Sequence, residues 1–167
     1  RLADLPGIAV ASLVSNSRIQ FKENILFTHR GLSGPAILQI SSYWKAGETI
    51  SINLLPDLDV VDFLKKRRAT QANTRLKTVL SEVLPKRLIL ALLGEGTVDK
   101  PLQDLSQRLM EETARQLQHW QIKPGCTEGY RTADVYVGGV DCNELSSMTM
   151  ESSKVKGLYF IGEVVDV

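Results

Sequence analysis

Thr49-Ile50-Ser51-Ile52-Asn53-Leu54-Leu55-Pro56-Asp57 decides how this chain folds, because the hydrophobic period changes directly after it. Polar and apolar residues alternate from Thr49 to Leu55, as on a strand with one face buried, and Pro56-Asp57 ends the run. From Val60 the apolar positions recur at intervals of three and four instead. Leu64, then Leu76, Val79, Leu80 and Val83, then Leu88, Ile89, Leu92 and Leu93 mark three short helices, the third begun by Pro85 and ended near Gly94. A fourth and longer helix is expected from Pro101, with Leu102, Leu105, Leu109 and Leu117 on one face. Gly94-Glu95-Gly96 reads as a flexible joint between helices.

On the amino-terminal side the period is two. Ile8 to Val14 suits a strand, Asn16 and Ser17 mark a turn, and Ile19 and Phe21 alternate with Arg18, Gln20 and Lys22 in a second strand. A third short strand, Ile25 to Thr28, leads into a loop. Pro35 then starts a helix capped by Ser33 or Gly34, with Ile37, Ile40 and Trp44 at helical spacing and Gly47 as its stop. Strand character returns at Trp120 to Lys123 and at Arg131 to Val137, around Pro124-Gly125. The expected class is therefore α+β: a small β-barrel or curled sheet from residues 1–59 and 119–140, interrupted by an all-α helical bundle at 60–118. Near the end, Leu158-Tyr159-Phe160-Ile161 reads as a short buried strand with Gly162-Glu163 at its carboxyl end, where open α/β sheets bind ligands.

Composition excludes several classes. With 167 residues, 43% hydrophobic and 23% charged, the chain can bury a core as one domain or two small ones. A net charge of +1 supplies no global field toward nucleic acid, membrane or an acidic partner. Apolar runs fall short of the roughly 18 residues a spanning helix needs, and no signal-peptide pattern opens the chain, so no membrane partner and a cytoplasmic location are expected. Cys126 and Cys142 form no Cys-x-x-Cys pair and no metal-ligand set; both read as reduced and structural.

Several stretches carry residue types suited to chemistry. In Thr28-His29-Arg30-Gly31-Leu32-Ser33-Gly34-Pro35 the glycines free the backbone, and a helix N-terminus beside His29 and Arg30 suits an anion or polar oxygen. The same residues also suit a plain helix start with His29 satisfying a carbonyl. Ser33 lacks a Gly-x-Ser-x-Gly elbow, so a serine hydrolase has no support. Gly138-Gly139 permits backbone amides to approach a flat ring, or simply makes a turn or bulge. Glu163, with Asp166 behind it, has a carboxylate for sugar hydroxyls. His119 beside Trp120 reads as a helix-terminal cation or a packed ring. Between residues 60 and 90, eight cations (Lys65, Lys66, Arg67, Arg68, Arg75, Lys77, Lys86 and Arg87) face two carboxylates, a local charge of +6. That surface makes a non-catalytic nucleic-acid- or protein-binding module the rival reading. Only Phe63 interleaves the run, so a solvated helix face is the ordinary explanation and nucleic acid is not the expected partner.

Phe27 to Leu38, Tyr136-Val137-Gly138-Gly139-Val140, Met148-Thr149-Met150-Glu151-Ser152 and the Gly162-Glu163 end occur in an order that resembles the YhiN-type (BaiN-like) NAD(P)/FAD-dependent oxidoreductases. The resemblance implies a flavoprotein insert or substrate domain, with residues from about 141 returning to an FAD-binding domain of the same longer chain. It implies that a Gly-rich FAD-binding unit precedes the region and another Gly-rich segment follows it, so that this fragment alone is inactive. For the intact enzyme it implies electron transfer from NADH or NADPH through FAD to a small organic acceptor. Gly138, Gly139, Gly162, Glu163 and Asp166 would then be cofactor-binding, and Thr28, His29, Arg30, Gly31, Ser33 and Gly34 would face the flavin or substrate. His29 and Ser33 are the catalytic candidates. Relatives usually carry threonine at the position of Tyr136, so the hydrogen bond that the resemblance implies from that threonine hydroxyl is not carried over to this chain.

Overall fold

A computed structural model describes residues 5–129, 133 and 138–166. The chain divides into two compact units, Arg1–Gly125 and Cys126–Val167. The class is α+β, with a curled antiparallel sheet and several helices, as the change of period indicates. No helix among the described residues is long and apolar enough to cross a membrane.

The sheet of the first unit is built from β1 (Ala9–Ser15), β2 (Gln20–Phe27), β3 (Leu32–Ser33), β4 (Ile50–Asn53) and β5 (Trp120–Ile122), in the spatial order β3-β2-β1-β4-β5. All its pairings are antiparallel, and the register sets Val10 opposite Ile25 and Val14 opposite both Phe21 and Ile52. These residues, with Phe27 and Ile50, form the apolar side of the sheet. The expected second and third strands are one continuous β2. Alternation breaks at Lys22-Glu23-Asn24, which are exposed, yet their backbone stays hydrogen-bonded to β1. Glu23 falls on the same face as Phe21 and Ile25, opposite Ser12, and a polar side chain there leaves the backbone ladder intact.

Curl is visible in one aromatic pair. Phe27 in β2 and Trp120 in β5 are separated by β1 and β4, three strand spacings or about 14 Å across a flat sheet. Their rings nevertheless stack with centroids 6.1 Å apart and planes 14° from parallel. The sheet must bend around its apolar side for these side chains to meet.

Helix α1 (Pro35–Ser41) lies against β1 and β2 and buries Ala36 and Ile40. It ends before Trp44, which the spacing assigned to it. Instead the chain turns, Trp44 Nε1 donates to the Glu48 carbonyl at 2.9 Å, and Arg18 ties the turn down through a 2.8 Å ion pair with Glu48. The cap is Gly34, at φ +93°; an added Cβ would stand 2.8 Å from the Asn24 carbonyl and 2.9 Å from the Leu26 nitrogen. Glycine is thus required by contact with β2.

The helices that follow are α2 (Val60–Thr70), α3 (Leu76–Leu80), α4 (Lys86–Leu93), α5 (Glu95–Val98) and α6 (Gln107–Gln118). Two starts are side-chain capped: Asp59 accepts from Asp62 N at 2.9 Å and Ser106 from Leu109 N at 3.2 Å. The expected joint at Gly94-Glu95-Gly96 is the start of α5, whose Val98 is fully buried. Pro101 opens only a 3-10 turn, Leu102–Asp104, and the long helix waits for the Ser106 cap. The departure and return of this excursion are fastened together. Leu54 N donates to the Leu117 carbonyl at 2.9 Å, and the Gln118 amide donates to the carbonyls of Leu55 and Leu58 at 3.2 and 2.6 Å. One apolar cluster runs from Leu5 through the sheet and helices to Leu117.

In the second unit β6 (Val140–Asp141) pairs in parallel with β7 (Val165–Asp166), and 3-10 turns cover Cys142–Glu144 and Gly162–Val164. The expected buried strand at Leu158 to Ile161 is absent. Tyr159 makes an isolated bridge to Glu151, while Leu158, Tyr159 and Ile161 are 41, 56 and 75% exposed. A fully buried strand needs neighbours and cover on both faces, and β6 and β7 of this unit are only two residues each. Apart from Ala133, the expected strand from Arg131 to Val137, including Tyr136, lies outside the described residues.

Gly34→Ala is expected to destabilise the first unit by about 2 to 4 kcal/mol, from overpacking against β2 plus the left-handed backbone. Asp59→Ala is expected to cost about 1 kcal/mol through loss of one cap. Urea denaturation followed by far-UV circular dichroism measures both.

Candidate functional site

The loop after β2 is an internally bonded turn. Thr28 N donates to the Gly31 carbonyl at 2.8 Å, and Thr28 Oγ1 accepts from the amides of Arg30 and Gly31 at 3.2 and 3.1 Å. This geometry accounts for Thr28 and Gly31 and leaves His29 exposed at the tip. The amides of Ile37 and Leu38 both turn back to the Gly34 carbonyl, at 3.0 and 2.9 Å, and Pro35 has none to offer. Ser33 lies in β3, half-buried opposite Leu26.

The remaining candidates belong to the second unit and are described within it. Gly138 and Gly162 have positive φ and open space where a Cβ would be, so a ligand could approach their backbone. Gly139 differs. Its Cβ position is 2.5 Å from the Val164 carbonyl and 2.9 Å from Asp166 N, so the chain itself fills that approach. Glu163 is exposed in the 3-10 turn, and Asp166 is exposed in β7, its carbonyl accepting from Cys142 Sγ at 2.9 Å. Cys126 and Cys142 are free thiols, exposed rather than packed.

The basic run folds onto α2, α3 and the start of α4, where much of its charge has a local partner. Lys66 pairs with Asp62 at 2.7 Å, Arg67 with Glu82, and Lys77 and Arg75 with Asp99. Arg67 also lies over the Phe63 ring, 5.4 Å from its centroid, and Arg68 donates to the Leu105 carbonyl at 3.0 Å. The hydrogen bond from Lys77 is the main reason the Asp99 carboxyl is held below its usual range, and the bond to Asp62 raises the Lys66 ammonium above its own. Lys65 and Lys86 are exposed.

A cleft that sequence reasoning did not single out lies where α6 returns to the sheet. Leu92 of α4, Arg115 and Gln116 of α6, His119, and Trp120 and Gln121 of β5 surround about 300 Å³. Its signal in the sequence was the close sequence of cation, amides, imidazole and indole from Arg115 to Gln121. Read singly, His119 suggested only a helix end, and the Leu92 floor comes from a distant helix.

Comparison with known proteins gives a consistent result. A family model described as HI0933-like protein barrel and H2TH domain matches residues 1–135. A ribosomal RNA dihydrouridine synthase of Escherichia coli K12 is 54% identical over 165 residues, covering 98% of this chain and 41% of the relative. Its namesake in Haemophilus influenzae is 45% identical over 168 residues, 99% of this chain and 42% of the relative. A 3-dehydro-bile acid delta(4,6)-reductase of Clostridium scindens is 30% identical over 155 residues, 84% of this chain and 37% of the relative. The chain thus spans about two fifths of the length of these relatives.

These matches correct the functional expectation. Relatives across nearly the whole chain are named for ribosomal RNA, which overturns both the small organic acceptor and the expectation of no nucleic-acid partner. The label of a YhiN-like insert domain gives way to that of a barrel and H2TH domain. The physical reason for the error is the weight given to aromatic interleaving: with only Phe63 in the run, the local charge of +6 over residues 60–90 was read as a solvated helix face.

Electrostatics on the basic face carries a pH signature. The folded pKa of Asp99 is lowered, so its contribution to stability is in place above the unfolded value, about 3.9, and is lost as pH falls through the folded one. The melting temperature of Asp99→Asn should therefore lie below that of the unchanged protein at pH 7, and the difference should close as pH falls from there through the lowered folded value. Thermal melts across that range measure it.

Proposed function

The chain belongs to the family of HI0933-like barrel and H2TH domain proteins, and from that membership we propose that it is the RNA-engaging part of a ribosomal RNA dihydrouridine synthase. The observation that carries this reading is the 54% identity over 98% of the chain to a relative of that name. The outward charge of Lys65 and Lys86 supports it, since phosphate contacts supply most sequence-independent affinity for nucleic acid.

Dihydrouridine is formed by adding one hydride equivalent and one proton across the C5–C6 double bond of uracil. A flavin, FAD by the resemblance of the sequence and recharged by NADH or NADPH, would supply the hydride when bound. Within the second unit the residues fit such a group in part. Gly138 and Gly162 leave backbone open to a flat ring, and the exposed Glu163 carboxylate can accept hydrogen bonds from sugar hydroxyls. Gly139 is occupied by its own chain and holds β6 beside β7 instead. The exposed His29 and Arg30 of the first unit are proposed to face the substrate or ring. Excluding water and orienting uracil would fall to these side chains, while the helices hold the phosphates. The division into a β part at residues 1–59 and 119–140, a helical part at 60–118 and a cofactor-side part from 141 is proposed on the same basis.

The test is chemical. Full-length protein carrying this chain, supplied with NADPH and ribosomal RNA from cells lacking the activity, is expected to yield a uridine heavier by two hydrogens, detected by mass spectrometry of nucleosides. Unchanged uridine would refute the reading. Replacing Lys65 and Lys86 by glutamate is expected to lower affinity for RNA and to flatten the slope of log affinity against log salt by about 1 to 2.

A further inference from the structure

We propose that the cleft between α4, α6 and β5 is a seat for one unpaired RNA nucleotide, its base lying against Trp120 and its phosphate on the Arg115 guanidinium. The proposal rests on the RNA reading above and adds to it a contact selective for single strands.

The residues at the cleft match the chemistry of an unstacked nucleotide. Leu92 and Trp120 give an apolar floor, and Arg115, Gln116, His119 and Gln121 give polar heads around it. Single-stranded RNA is held in this way, by stacking on aromatic rings, by guanidinium contacts, and by hydrogen bonds to base edges that pairing would otherwise hide. The volume, about 300 Å³, lies at the low end of the roughly 300 to 1,000 Å³ usual for small-ligand clefts, which suits one nucleotide and no duplex.

The second argument is availability. Among the described residues Arg115 makes no ion pair, and the side chains of Gln116 and Gln121 make no hydrogen bond. By contrast Lys66, Arg67, Arg68, Arg75 and Lys77 of the basic run are each engaged within the protein. A cation held without a counter-charge beside an indole keeps its binding capacity for a ligand.

The third argument is rigidity. Trp120 is fixed by its stack on Phe27 and by pairing opposite Ile52, while Gln118 fastens the end of α6 to Leu55 and Leu58. A base landing on a ring already held in place costs less ordering than one that must recruit a mobile side chain.

The experiment uses the full-length protein and a labelled single-stranded oligouridylate containing 4-thiouridine, beside a duplex of the same length. Arg115→Glu changes an exposed residue and should leave the fold intact; Trp120→Phe keeps a ring and Trp120→Ala removes it. Expected is a loss of about tenfold or more in affinity for the single strand with Arg115→Glu and Trp120→Ala, a smaller loss with Trp120→Phe, and little change for the duplex. Photo-crosslinks should map to the peptide bearing Trp120. If the single strand binds but Arg115→Glu leaves its affinity within about twofold and no crosslink reaches that peptide, the seat is elsewhere and the proposal fails while the RNA reading stands. If neither RNA binds the unchanged protein, the RNA reading itself fails. If naked RNA is ignored but Arg115→Glu weakens binding to ribosomal protein, the occupant is a protein and the proposal is overturned.

Discussion

The excursion of the helices is closed by three hydrogen bonds, from Leu54 N to Leu117 O and from the Gln118 amide to Leu55 and Leu58, and the rest of the first unit depends on that closure. It adds to the pairing of β5 with β4, where Trp120 and Ile122 pack half-buried against the core. With it, Trp120 is delivered opposite Ile52 and onto Phe27, and the sheet's curl is set. Sequence, packing and site meet here, because the strand that completes the sheet also carries the indole and amide of the cleft.

Charge is distributed in two ways on the same unit. Along α2 and α3 most cations are paired with Asp62, Glu82 and Asp99, so their joint field is weaker than a count of basic residues suggests. Exposed pairs of this kind contribute little to stability and are screened by salt. They do order the side chains on the helix face, which favours a defined array of donors over a diffuse positive cloud. At the end of α6 the arrangement is opposite: among the described residues Arg115 makes no ion pair, and it borders the same cleft as Trp120.

How much could be read in the sequence follows from where each feature's cause resides. The alternation at Thr49 to Leu55 and the leucines of α3 and α4 are local, and they gave strand and helices at nearly the right bounds. Helix ends were harder. Trp44 has the right spacing for α1 but is claimed by Glu48, and Pro101 has the right residue type but yields to Ser106 as the cap. Gly94-Glu95-Gly96 looked like a joint because the burial of Val98, which makes α5 worthwhile, is a tertiary matter. The cleft was illegible for the same reason: Leu92 and Trp120 meet only once α6 has folded back. Gly34, expected either to cap the helix or to face a ligand, is the cap of α1, and contact with the backbone of β2 accounts for the glycine.

Since β4 and β5 are antiparallel neighbours, the whole helical region from residue 54 to 119 is, topologically, an overgrown hairpin loop. The entropy of closing a loop rises only by about 0.6 kcal/mol for each doubling of its length. A lineage can therefore lengthen, shorten or exchange the helices while the sheet underneath keeps its register. On that view the sheet is the fixed chassis, and the helices are the part whose length and surface can change without disturbing it.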